Sequence, residues 1–229
     1  MKLVIGNKNY SSWSLRPWLL MRQAGIAFEE VKVRLFVAGF DEAIAKHTPA
    51  GKVPVLVDGD VSIWDSLSIS EYLAESFPEK QLWPADRAER AHARSICAEM
   101  HSGFGNLRSQ LPMNVTAVLP GMGWNVAVQR DVDRVAAIWS GLRARHAGAG
   151  PFLFGTFTIA DAFFAPVVSR FATYGIRLPE AAKQYADFIL ALPAMQAWIT
   201  DAHEERDFLA DDEPYRLVPD RADAVVINH

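Results

Sequence analysis

The stretch VPVLVDGDVSIW, residues 53–64, most constrains what this chain can fold into: two apolar runs meet at Asp58-Gly59-Asp60, the turn chemistry of a tight hairpin. Upstream, KLVI (2–5) and VKVRL (31–35) read as strands, the second alternating Val31, Val33 and Leu35 with Lys32 and Arg34. A helical stretch from about Ser14 to Ala24, ended by Gly25, lies between them. Pro17 fits only in a first turn, where its missing N–H is not needed, so it sets the helix start a few residues before it. DEAIAKH precedes the hairpin, and Asp65-Ser66 opens a helix in which Ile69, Tyr72, Leu73 and Phe77 recur at helical spacing. Strand, helix, strand, short helix, hairpin, helix is the order of an α/β layer with a mixed four-stranded sheet.

Composition shifts at SFPEKQLWPADRAER, where two prolines and clustered charges mark a linker before a helical remainder. The expected units are 1–79, a linker 80–87, and an all-helical domain 88–229. Ile96, Met100, Phe104, Leu107 and Leu111 form one apolar stripe there, and Val128, Val132, Val135, Trp139 and Leu142 another. Thr158 and Asp161 in TIADAFFAPVVSRF make a carboxylate variant of the capping box. Further helices are expected at about 185–192 and 194–202, parted by Pro193.

A formal net charge of −4 provides no basic field for nucleic acid. Cys97 is the only cysteine, which excludes an internal disulfide framework and a multi-cysteine zinc site and fits a reducing, cytoplasmic setting. No apolar run approaches the ~20 residues that span a bilayer, and no metal or membrane partner is expected.

Three segments could converge on a ligand: the serines of NYSSWSLRPW at a helix start, GKVPVL, and the Asp65-Ser66 helix start. Helix N-termini present free N–H groups and favour anions. One serine suffices as a cap, which leaves Ser11, Ser12 and Ser14 with a hydroxyl to spare. Val53-Pro54 at a strand start reads, from the residues alone, as an ordinary trans peptide; a cis bond there would leave the Val53 N–H and C=O to pair with an extended peptide.

Taken together, SSWSLR, KVPVLVDG, DSLSISEYLAE and GTFTIADAFFAPV, in that order and spacing over nearly the whole chain, resemble the cytosolic glutathione S-transferases. The serine cluster resembles the zeta class, with its Ser-Ser-Cys-x-x-Arg motif. The resemblance implies a thioredoxin-like N-terminal domain that holds glutathione as co-substrate, a helical domain that covers a second substrate, and a homodimer. The catalytic hydroxyl falls on Ser11, with Ser12 as neighbour and Ser14 as fallback. Val53 would pair its backbone with the cysteinyl unit, with Pro54 cis. Asp65 would face the γ-glutamyl ammonium, Ser66 its carboxylate, and Lys52 the glycyl carboxylate.

Trp13 stands where zeta enzymes carry a cysteine linked to maleylacetoacetate isomerisation, so that activity does not follow from the resemblance. Arg16 matches the family arginine and reads as an ion-pair partner or a substrate contact. For the second substrate Arg108 and Asn114 are the polar candidates, whereas Met100, Phe104 and Leu111 read as core, His101 as an ordinary helix residue and Cys97 as a small buried hydrophobe. The expected activity is addition of a glutathione thiolate to an electrophilic, largely apolar small molecule. The alternatives are a glutathione-dependent isomerase or peroxidase, or a non-catalytic glutathione-binding protein.

Overall fold

The computed structural model describes residues 1–228. Strand β1 (Lys2–Ile5) leads into helix α1 (Ser12–Gln23), strand β2 (Glu29–Lys32) and helix α2 (Phe40–Ala45). The hairpin of β3 (Val55–Asp58) and β4 (Val61–Ile63) and helix α3 (Ser66–Ser76) complete this layer. The strands lie in the order β2-β1-β3-β4. β1 runs parallel to β2, as a helical crossover requires, and antiparallel to β3, so the sheet is mixed.

Two local expectations shift. Strand β2 ends at Lys32 because its partner β1 is only four residues long and Ile5 pairs with Lys32. Val33 and Leu35 lie beyond the strand yet remain buried. Helix α1 begins at Ser12, two residues before the expected Ser14, so Pro17 lies in the second turn and the Trp13 carbonyl has no intrahelical N–H to accept.

The remainder is helical: α4 (Arg87–Ser102), α5 (Gly105–Gln110), α6 (Val126–His146), α7 (Ile159–Thr173), α8 (Glu180–Ala191) and α9 (Pro193–Glu204). The stripe from Ile96 to Leu111 is buried, but it runs over two helices: Phe104 turns the chain with φ +58° between α4 and α5. Helix α7 is buried almost throughout and packs against both α1 and α4, so it joins the two halves. Its start is fixed by Asp161, whose Oδ2 accepts from Thr158 N at 2.8 Å and whose Oδ1 accepts from Leu153 N at 3.0 Å. The chain then adds what the pattern did not foretell, a parallel pair β5 (Asp207–Leu209) and β6 (Val225–Ile227) that returns to the N-terminal layer.

Candidate active site

The β1–α1 junction gathers the serines. Ser11 is the N-cap of α1, its Oγ accepting from Ser14 N at 3.3 Å. The Ser11 and Ser14 hydroxyls are hydrogen-bonded at 2.7 Å, and Ser14 Oγ accepts from Gly6 N at 3.1 Å. Ser14 is fully buried in this chain of bonds. Ser12 points elsewhere: its Oγ accepts from Nη2 of Arg170, on α7, at 3.3 Å.

Ser11 and Ser12 open onto a cleft between the sheet layer and the helices, divided into two chambers that share Trp13, Lys52 and Val53. The first, of about 450 Å³, is also lined by Pro54, Asp65, Ser66 and His101. The second, of about 490 Å³, holds Ser11, Ser12, Tyr10, Arg108, Met113, Arg170 and Asp212.

In the first chamber the polar groups are only half committed. Asp65 caps α3, with Oδ1 accepting from Leu67 N at 2.9 Å, which leaves Oδ2 toward His101 Nε2 at 3.2 Å. Ser66 Oγ is buried without a hydrogen-bond partner among the described residues, an arrangement that ordinarily costs about 1–3 kcal/mol and fits a ligand that supplies the missing partner. Val53 precedes the ladder, whose first β3 pair is Val4 with Val55, and the Val53-Pro54 bond is cis. An extended peptide with an ammonium and carboxylates suits this set, and glutathione is such a peptide.

Residues 10–76 match the family model "Glutathione S-transferase, N-terminal domain", and residues 125–201 match "Glutathione S-transferase, C-terminal domain". A "Glutathione S-transferase zeta class" from Euphorbia esula is 32% identical over 205 residues, 81% of this chain and 88% of the relative. The chain belongs to the glutathione S-transferase family. A "Probable maleylacetoacetate isomerase" from Caenorhabditis elegans is 32% identical over 69% of this chain and 72% of its own length. Among solved structures, a glutathione transferase homologue from Burkholderia with bound glutathione superposes with a TM-score of 0.66 at 23% identity, over 89% of this chain and 97% of that one. Its likeness supports the fold: a thioredoxin-like layer followed by a helical domain.

Within this transferase fold several residues take places that the sequence did not specify. Trp13 is the partition between the chambers, with the Arg16 guanidinium 4.4 Å and that of Arg108 4.7 Å from its ring and His101 edge-on at 5.2 Å. Arg16 forms no ion pair among the described residues, which removes the ion-pair reading: it is buried between Trp13 and Phe163, and its Nε and Nη1 have no partner. Burial, with the charges of Arg108 and Arg170 added, pushes its proton affinity well down.

Arg108 lines the second chamber but spends most of its donors on the end of α4, giving Nε to Gly103 O at 3.0 Å and Nη2 to His101 O at 2.9 Å. Asn114 lies outside both chambers, buried, with its backbone carbonyl taken by Thr173 Oγ1 at 2.7 Å. Arg170, by contrast, was hidden in the apolar run of α7; one charge in FFAPVVSRF was its only signal. Burial, reinforced by Arg108, pushes its pKa down to about 10, so it stays a cation at neutral pH. Cys97 is buried and its thiol is pushed well up by that burial, which makes it inert.

Proposed function

We propose that Ser11 stabilises the thiolate of glutathione held along Lys52, Val53, Pro54, Asp65 and Ser66, and that the second chamber presents the electrophile to it. The chain Gly6 N–H, Ser14 Oγ, Ser11 Oγ carries the reading. In this structure Gly6 N–H and the Ser11 hydroxyl both donate to Ser14 Oγ; hydroxyl protons rotate to suit their surroundings, so in this reading the Ser11 proton turns to the sulfur when the ligand arrives and Ser14 donates to Ser11 in return. The thiol proton leaves to solvent, and the sulfur electron pair then forms the C–S bond as the π bond of the electrophilic acceptor breaks, the displaced electron pair taking up a proton from solvent. An ordinary thiol titrates near about 8.5, and each unit of lowering requires about 1.4 kcal/mol, within reach of a charge-assisted hydrogen bond plus a helix N-terminus.

The acceptor in this reading carries a carboxylate, because Arg170 and Arg108 line the chamber that Ser12 opens onto. That narrows the largely apolar electrophile suggested by the sequence. The same guanidiniums favour a second reading, a glutathione-dependent cis–trans isomerase like the relatives named maleylacetoacetate isomerase, in which sulfur adds and leaves again without net consumption. Trp13 in place of the zeta cysteine weighs against it.

The same reading divides the chain into a glutathione-holding unit 1–79, a linker 80–87 and a helical unit 88–229, working as a cytoplasmic homodimer. Among the described residues no helix is long and apolar enough to cross a membrane. Val61, exposed at the edge of the hairpin, would give apolar surface to a partner subunit, whereas the half-exposed Trp64 beside it lines the first chamber.

The deciding experiment is the ultraviolet titration of bound glutathione in wild type and Ser11→Ala. A thiol titrating about a unit or more below 8.5 in the wild type, and returning upward in the variant, supports the reading. Binding without a lowered pKa would leave a carrier; no binding would refute it.

A further inference from the structure

The residues just before Ser11 are held less by their own sheet layer than by the far end of the chain. Glu205, following α9, spans two successive backbone N–H groups of the junction, Oε1 accepting from Lys8 N at 2.8 Å and Oε2 from Asn9 N at 3.1 Å. Asp207 Oδ2 accepts from Asn7 Nδ2 at 2.7 Å, and Trp198 Nε1 donates to Lys8 O at 2.9 Å. Tyr10, adjacent to Ser11, donates its hydroxyl to Glu213 Oε1 at 2.8 Å. Asn7, Lys8, Asn9 and Tyr10 are in consequence all buried, although they form a turn.

The clamp is itself anchored. Arg34 grips Asp207 through Nε at 2.9 Å and Nη2 at 2.6 Å, and Lys32 meets Glu205 at 2.6 Å. Leu209 and Ile227, one from each strand of the small parallel pair, pack on Tyr10 and Leu35. The segment then runs on into the wall of the second chamber at Asp212.

We infer that Glu205, Asp207 and Glu213 position the reacting serine from outside both chambers, acting through Lys8, Asn9 and Tyr10. The inference rests on the Ser11 reading. A carboxylate bridging two backbone donors is a charge-assisted contact with defined geometry, and it fixes the turn that sets where the α1 N-cap hydroxyl lies. A hydroxyl displaced by about 1 Å no longer favours the thiolate, a loss on the order of tenfold or more in rate. Glu205, Asp207 and Glu213 are thus positioning residues, and Tyr10, which also lines the second chamber, passes their hold on to Ser11.

The test compares Glu205→Gln and Tyr10→Phe with Ile189→Val, a destabilised control in the buried face of α8 away from the junction. Tyr10→Phe deletes a single hydroxyl and decides the matter if Glu205→Gln fails to fold. Both variants are expected to raise the pKa of bound glutathione by about half a unit or more and to lower kcat about fivefold, and Glu205→Gln, which lies outside both chambers, to leave the acceptor KM little changed. The control loses thermal stability without moving that pKa. A lowered wild-type pKa that persists in both variants overturns the positioning role and leaves the serine reading intact. A wild-type pKa that is not lowered refutes the serine reading and the positioning role with it.

Discussion

His101 Nε2, on α4 of the helical domain, lies 3.2 Å from Oδ2 of Asp65, the N-cap of α3 in the sheet layer. The pair ties the two halves within the lining of the first chamber. Burial lowers the proton affinity of the imidazole, Asp65 opposes that, and the charges of Arg16 and Arg108 add to the lowering. The shift favours the neutral ring, which in the proposed reading leaves the Asp65 charge for a ligand ammonium.

From this follows a pH dependence of binding. Because that burial holds its pKa below the ordinary histidine value, His101 gains a proton only as pH falls into the acid range, and it then competes for Asp65. The KM for glutathione is expected to rise several-fold toward acid pH in the wild type and to stay level in His101→Gln, read from initial rates at saturating acceptor.

Ser66→Ala separates binding from folding. Because Ser66 Oγ has no hydrogen-bond partner among the described residues, its loss is expected to stabilise the ligand-free protein by about 1 kcal/mol while weakening glutathione binding about tenfold. Urea melts and calorimetric titration of the same preparation check both halves.

Ser14→Ala breaks the hydroxyl chain behind Ser11 without touching the cleft. The bound thiol pKa is expected to rise by about half a unit, less than in Ser11→Ala, with a drop of several-fold in kcat/KM. An unchanged thiol pKa would mean that Ser11 draws nothing from Ser14.

Arg170→Gln tests the acceptor chemistry. Losing the cation beside Ser12 is expected to raise KM about 10–100-fold for a carboxylate-bearing acceptor and to leave a neutral one within about twofold. Equal losses on both acceptors would assign Arg170 to the packing between α1 and α7.

Asp161 gives a stability test. Burial pushes its carboxyl up to about 6, against hydrogen bonds from Leu153, Thr158 and Tyr185 that hold it down. With a folded value above the unfolded one near 3.8, the protonated form contributes stability below about pH 4 that is lost as pH rises through 6. Wild-type stability relative to Asp161→Asn is expected to fall by about 3 kcal/mol over that window in urea titrations.

What the sequence by itself determined is what short stretches of chain settle among neighbours. Asp58-Gly59-Asp60 forces the hairpin, Asp65 caps α3 and Thr158 with Asp161 closes the start of α7, since each needs only donors and acceptors a few residues apart. Motif spacing likewise brought Val53, Pro54, Asp65 and Ser66 to one chamber. Tertiary structure alone decided which serine is spent inside the protein and which opens to the cleft. The hydroxyls of Ser11, Ser12 and Ser14 are told apart by Gly6, Arg170 and the burial around them. Arg170, His101 and the clamp from Glu205 to Glu213 were illegible for the same reason: their partners lie up to about two hundred residues away, and a contact made by folding leaves no local period or spacing in the chain.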